Sequence, residues 1–322
     1  MSMCKYDDMI QSALYKGGIT MKIMVSGIGG IGGYIACIVS SHYDDVTLIA
    51  RKARKQALLE KGLILHSQIL GEQHYRPKAV IDTPSEAGIQ DVIFICVKNF
   101  SLLEALSALK PCIDDHTIVV PIMNGVDHCE VTDKFLKTGY VIDALIYLTG
   151  SYEPDFSIVQ KNDYAKVVID SPYDIQNELV RSILNQPPGL QCVIADDMES
   201  EVWQKYITNC AYNVITAYYK CTTRGLLTPP SRLHEFHVLL EEAYAVGLAK
   251  GVHLPEHMDQ IIFDRMTKHR GLDSTSSMGR DAIAGKQTEL ETFSGYLVRT
   301  AHALGVPVPL SEHIYEEMKA RK

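Results

Sequence analysis

The stretch MKIMVSGIGGIGGYI, residues 21–35, constrains this chain more than any other part of it. A β-branched apolar run, Ile23 to Val25, stops at a cluster of glycines, and an apolar segment of helical length continues through Val39. That order predicts a strand, a tight turn and a helix. In the turn Gly27-Ile28-Gly29-Gly30-Ile31-Gly32, the spacing of Gly27, Gly29 and Gly32 is that of the dinucleotide fingerprint. Gly27 permits the turn, Gly29 lets the backbone approach a pyrophosphate, and Gly32 brings the helix close to the sheet, with the phosphates over the helix N-terminus. No charged residue occurs from Ile23 to Ser41, but the central glycines and the abrupt return of His42, Asp44 and Asp45 argue against a membrane span.

Val46 to Ala50 reads as the second strand, and it ends directly on Arg51. A carboxylate at this place would accept from a ribose 2′-hydroxyl, whereas arginine suits a 2′-phosphate. The chain offers Arg51, Lys52, Arg54 and Lys55, with no carboxylate until Glu60, so NADP is expected over NAD. Leu63 to Leu65 and Lys78 to Ile81 are short strand candidates. The continuous apolar runs Val92 to Val97 and Thr117 to Met123 look like buried parallel strands. They end on Lys98-Asn99 and Asn124-Gly125, which places Lys98 and Asn124 where ligands of an open parallel sheet bind. Tyr140 to Thr149, Lys166 to Asp170 and Gln191 to Ala195 continue the β pattern, with an amphipathic helix from Asp174 to Leu184. From Met198 the period is helical nearly to the end, broken by turn clusters at 228–230 and 273–277. The expected organisation is an N-terminal extension (1–20), a Rossmann-type doubly wound α/β domain (21–196) and an all-α domain (197–322).

A chain of 322 residues has ample length for two cores. Its net charge of −8 has the wrong sign for broad contact with phosphate backbones, so nucleic acid is not an expected partner. Eight cysteines lie scattered in apolar surroundings without a C-x-x-C pair, which reads as reduced thiols in a cytosolic protein and no bound metal. The first twenty residues lack the apolar core of a secretory signal; they form a short extra helix, or Met21 is the true start.

Two polar groupings stand out in the helical half. In WQKYITNCAYN, Lys205, Asn209 and Asn213 are spaced i, i+4, i+8, which lines an ammonium and two carboxamides along one stripe of an otherwise apolar helix. Asparagine is a poor helix former, and a solvated face would more naturally carry Glu and Lys. The second grouping comprises Ser276, Ser277, Asp281 and Glu289. Thr288 is a potential cap for a helix with the core stripe Leu290, Phe293, Leu297, Ala301 and Leu304. Glu289 and Glu291 would then complement the helix dipole, unless one of them faces inward. Spacing does not choose between them.

The GIGGIG turn, Val97-Lys98, Asn124-Gly125, Lys205 with Asn209 and Asn213, and SSMGRD followed by TELE together resemble the ketopantoate reductase (2-dehydropantoate 2-reductase) family, from Met21 to about Pro309. The resemblance implies NADPH-dependent reduction of ketopantoate to pantoate, a step toward pantothenate and coenzyme A, at a site between a Rossmann domain and a helical domain. It implies Lys205 as proton donor, Glu289 as the active-site carboxylate and Asn124 as a residue touching nicotinamide and substrate. Cofactor contacts are implied for Gly27 through Gly32, Arg51, Lys98, Asn124 and Glu289. Substrate contacts are implied for Asn124, Lys205, Asn209, Asn213 and Ser277. Val214 stands where relatives often carry proline, and CTTRG (221–225) lacks an asparagine that some relatives use for substrate, although Arg224 there offers a partner for a carboxylate. Competing readings are a sister reductase of another branched 2-oxo acid and a non-catalytic NADP-binding regulator; the latter has no use for a proton donor. A homodimer is compatible with the sequence, with no pattern that specifies it.

Overall fold

The computed structural model describes residues 21–185, 188–268 and 272–321. The expectations for residues 1–20, including Cys4, lie outside these. The described chain divides into two compact units, one ending at Met198 and the other beginning at Glu199.

The first unit is built on a parallel sheet. Its elements are β1 (Ile23–Ser26), α1 (Gly30–Ser40), β2 (Val46–Ile49), α2 (Lys52–Lys61), β3 (Leu63–Ser67), β4 (Gly71–Tyr75), β5 (Ala79–Ile81), β6 (Val92–Ile95), α3 (Leu102–Leu109), β7 (Ile118–Pro121), α4 (His128–Leu136), β8 (Tyr140–Val141), β9 (Asp143–Tyr147), β10 (Gly150–Tyr152), β11 (Ile158–Gln160), β12 (Lys166–Asp170), α5 (Asp174–Asn185) and β13 (Gln191–Ile194). The main sheet runs β5-β2-β1-β6-β7-β8, with every neighbouring pair parallel. Its central strands are short β-branched runs buried throughout, as a sheet covered on both faces requires. The pleat sorts them: Ile23 and Val25 join the core on the α1 side, while Met24 joins Ile93, Ile95 and Leu106 on the other.

Helix α1 explains the uncharged stretch read from the sequence. It is wedged between β1 and a second sheet, β10-β11-β3-β4, and residues 32–39 are all buried. A helix apolar on every side is a core helix here, and no helix among the described residues is long and apolar enough to cross a membrane. The Tyr34 hydroxyl, at the centre of this wedge, donates to the Gly189 carbonyl at 2.6 Å. A third sheet, β13-β12-β9, completes the unit. Strands β4, β10 and β11 were not expected from the sequence.

The second unit contains α6 (Met198–Thr208), α7 (Val214–Tyr218), α8 (Thr223–Leu227), α9 (Pro230–Ala249), α10 (Met258–Thr267), α11 (Ser277–Ile283), α12 (Tyr296–Leu304) and α13 (Pro309–Ala320). Its centre is aromatic: Trp203, Tyr206, Phe236 and Phe293 are fully buried, with Tyr206 edge-on to Trp203 at 5.3 Å and to Tyr296 at 5.9 Å. Glu242 of α9 is a carboxylate buried beside this core. It accepts from the backbone N–H groups of Leu310 and Ser311 at 2.9 and 2.8 Å, which satisfies first-turn donors of α13 that have no intrahelical partner.

Candidate active site

The glycine turn joins β1 to α1 as expected, and each glycine has a different physical reason. Gly27 adopts φ +95°, and a β-carbon there would meet the Cys96 carbonyl carbon at 2.7 Å. A β-carbon on Gly32 would run into the Gly27 carbonyl oxygen and lie 2.7 Å from the Cys96 β-carbon. Gly29 differs: nothing lies within 4 Å of where its side chain would begin. Packing therefore does not demand glycine at 29, whereas a ligand pressed against that backbone would. The first-turn N–H groups of α1 face no acidic residue on that turn and suit a pyrophosphate. Gly30, expected only as part of the cofactor turn, has a packing reason as well. A β-carbon there would lie 2.6 Å from the Gly150 carbonyl of β10, and Gly33 likewise sits under Ile158 of β11.

A cleft of about 300 Å³ opens beside this turn at the carboxyl ends of β1, β2 and β6, lined by Gly27, Ile28, Arg51, Arg54, Val97 and Glu104 among others. Gly27 and the two arginines in its lining fit the adenosine end of a dinucleotide. Arg51 is the N-cap of α2, in extended backbone, and its guanidinium donates to the Glu104 carboxylate of α3 at 2.8 Å. Arg54, one turn on, lies over the rings of Tyr152 and Phe156 at 4.1 and 4.9 Å, and burial lowers its pKa. Lys55 is tied to Asp82 at 3.1 Å, and Lys52 is exposed. The basic cluster thus splits into two cleft arginines and two lysines outside the cleft lining.

Lys98 follows β6 and Asn124 follows β7, the two strands next to β1 on its other side. Because Ser26, Ile95 and Pro121 are in register, the glycine turn, Lys98 and Asn124 share one edge of the sheet. Gly125, at φ +103°, lets the chain turn away directly after Asn124.

The helical unit gathers the other expected residues. Lys205 is in the last turn of α6, and the helix then widens into a π-turn over Asn209–Asn213 before continuing as α7. The carboxamides of Asn209 and Asn213 are hydrogen-bonded to each other at 3.3 Å, with Asn213 buried. A second π-turn covers Glu291–Gly295, directly after Glu289 and Leu290 and just before α12. The Tyr206 hydroxyl joins the two by donating to the Phe293 carbonyl at 2.7 Å. Such turns concentrate at functional sites because they re-aim side chains within a helix. No residue pattern in the sequence announces either of them.

The two glutamates that spacing left equivalent are separated by burial. Glu289 is only 3% exposed, whereas Glu291 lies at the surface and bonds Arg299 and Tyr315. Burial pulls the Lys205 ammonium down to about 8, and the Glu289 carboxylate acts in the opposite direction. Ser276 caps α11 by accepting from the Gly279 N–H at 2.9 Å and bonds Thr216 of α7 at 2.7 Å, which leaves Ser277 as the first residue of that helix, half-buried. Arg224 already has a carboxylate, Asp273, at 2.9 Å on the surface.

Residues 23–172 match the family described as ketopantoate reductase PanE/ApbA, and residues 197–322 match ketopantoate reductase PanE/ApbA C terminal. The uncharacterized oxidoreductase YkpB of Bacillus subtilis is 26% identical over 301 residues, covering 93% of this chain and 98% of its own. A 2-dehydropantoate 2-reductase of Mesorhizobium japonicum is 27% identical over 319 residues, covering 90% and 94%. Among solved structures, a PanE/ApbA family ketopantoate reductase from Ralstonia eutropha JMP134 aligns with a TM-score of 0.83 at 25% identity, over 93% of this chain and 98% of that one. The ternary structure of D-mandelate dehydrogenase with NADH and anilino(oxo)acetate shares the fold at a TM-score of 0.82 and 19% identity, over 93% and 98%.

Proposed function

The chain belongs to the ketopantoate reductase family, and on that premise we propose that it is an NADPH-dependent reductase of a 2-oxo acid, ketopantoate first among them. The observation that carries the reading is Lys205, a half-buried lysine four residues before the hydrogen-bonded pair Asn209 and Asn213, lowered to about 8 by burial and opposed by the buried carboxylate of Glu289. A lysine so placed still holds its proton at neutral pH and releases it more readily than a solvated one.

The nicotinamide, when bound, supplies hydride to C2 of the oxo acid. The remaining work falls to the chain. The Lys205 ammonium faces the negative charge that develops on the C2 oxygen, gives it a proton and regains one from solvent. Glu289 keeps Lys205 charged until that moment. Asn209 and Asn213 offer amide donors for the carboxylate and hydroxyl ends of the substrate, with Asn124 and Ser277 as further contacts. Glycines 27, 29 and 32 cradle the pyrophosphate, and Lys98 adds a cation at the same sheet edge. Arg51 is the ligand for the 2′-phosphate.

A second reading, a sister reductase acting on another 2-oxo acid, is favoured by two details: Val214 after the asparagine pair, and Arg224 held by Asp273 in a turn without asparagine. The fold alone does not decide the acid, since a D-mandelate dehydrogenase shares it. The test is the initial rate of NADPH loss with ketopantoate beside a panel of other 2-oxo acids, repeated with NADH. Strong preference for ketopantoate with NADPH is the expected result. Turnover of a different acid alone replaces the first reading by the second, and NADPH binding without any turnover leaves the regulator.

A further inference from the structure

The charged residues that line the cleft beside the glycine turn are Arg51, Arg54 and Glu104. Two of them are arginines, as an anionic ligand requires. The third is a carboxylate, and it is bonded to the arginine expected to take the phosphate. Glu104 stands in the first turn of α3, on the β6 side of the cleft, where the helix N-terminus favours its charge. Its side chain is largely exposed and meets, at 2.8 Å, an arginine that begins on the β2 side, so the pair joins the two walls of the cleft.

We propose that Glu104 is a specificity-determining residue for the dinucleotide: its carboxylate competes with the 2′-phosphate for the Arg51 guanidinium and so holds back the preference for NADPH that Arg51 confers. The inference rests on the assignment of Arg51 to the 2′-phosphate made above. A 2′-phosphate carries more than one negative charge near pH 7, so on reaching Arg51 it also meets the Glu104 charge. NADH brings a neutral 2′-hydroxyl to the same place. That group suffers no repulsion from Glu104 and is able to donate a hydrogen bond to it. Arg54 lines the same cleft with its guanidinium stacked on Tyr152 and Phe156; it adds to anion binding but leaves the Arg51–Glu104 pair in place. Both members of the Arg51–Glu104 pair are more than half exposed, so the interaction is screened and its effect is modest.

The experiment measures dissociation constants for NADPH and NADH by nucleotide fluorescence on the full chain, for the wild type, Glu104→Gln and Arg51→Ala, at low and at high salt. Glu104→Gln keeps the side-chain shape and removes the charge. The NADPH/NADH affinity ratio is expected to rise about five-fold in this variant, the upper range for an exposed charge pair, and the gain is expected to shrink at high salt. A ratio that is unchanged or lower in Glu104→Gln overturns the inference, since Glu104 would then be neutral or would be positioning Arg51 for the phosphate. Failure of the underlying assignment has a separate signature: Arg51→Ala would weaken both nucleotides equally.

Discussion

The two units of this molecule prepare for chemistry in opposite ways. The sheet unit offers backbone: a turn of glycines, the N–H groups of α1 and the strand ends that carry Lys98 and Asn124. The helical unit offers side chains embedded in a packed interior, with Lys205, Asn213 and Glu289 set around two π-turns. A backbone site is specified by what must be absent, namely β-carbons at Gly27 and Gly32. A side-chain site is specified by its surroundings, because Lys205 differs from a surface lysine only through burial and a nearby carboxylate. The first kind tolerates almost no local substitution, and the second depends on residues far away in sequence.

The largest separation of the two should come from Lys205→Ala. Loss of a general acid lowers kcat by on the order of 10²–10⁴. NADPH binding, measured by fluorescence, is expected to persist. A near-normal kcat would remove Lys205 from the mechanism and leave the helical unit without its distinguishing group. Within the glycine turn, Gly32→Ala and Gly29→Ala should part ways. The β-carbon at 32 meets the Gly27 carbonyl, so this variant should lose about 1–3 kcal/mol in denaturant unfolding along with nucleotide binding. At 29 the space is open, so stability should change by less than about 1 kcal/mol while NADPH affinity still drops. Unchanged NADPH affinity in Gly29→Ala would break the claim that the turn is shaped for a ligand.

The same contrast decides what was legible in the sequence. The parallel sheet, α1 and the helical second half were readable because their periods and glycines reflect local rules. The strand Gly71–Tyr75 was not, since GEQHY is polar and mostly exposed and becomes a strand only by pairing with β3. The sequence marks Gly30 as a cofactor glycine and hides its packing role, because its neighbour, Gly150, lies 120 positions away in the chain. In the helical unit the residue types on the Lys205 stripe were visible, but the π-turns were not. Nor was the difference between Glu289 and Glu291, since burial is a property of the folded unit. Arg51 was expected opposite a phosphate, and its pairing with Glu104, 53 positions away, needed the cleft to be seen.

Glu242 tests whether buried carboxylates in the helical unit all serve chemistry. It bonds two backbone N–H groups at the start of α13 and touches none of the expected site residues by hydrogen bond. Glu242→Ala should therefore cost about 1.5–3 kcal/mol of stability, the scale of hydrogen bonds to a charged group, and leave kcat near wild type at temperatures where the protein is folded. A fall in kcat without a fall in stability would move Glu242 from scaffold to site.

Glu289 is the opposite case, and its effect is read on the pH axis. With Lys205 as the proposed proton donor, reduction would need it protonated, so kcat should fall as pH rises through about 8, the value set by burial against the pull of Glu289. The carboxylate favours the charged ammonium, so replacing it by a neutral amide leaves burial unopposed. In Glu289→Gln the alkaline limb should shift to lower pH, by roughly one unit if the two groups interact at the ordinary strength of a nearby opposite charge. The direction discriminates between roles. A carboxylate that merely complements the following helix would, on removal, lower stability and leave the limb where it was. A limb that moves to higher pH would mean that Glu289 does not support the charge on Lys205, and the helical unit would then tune its lysine by burial alone.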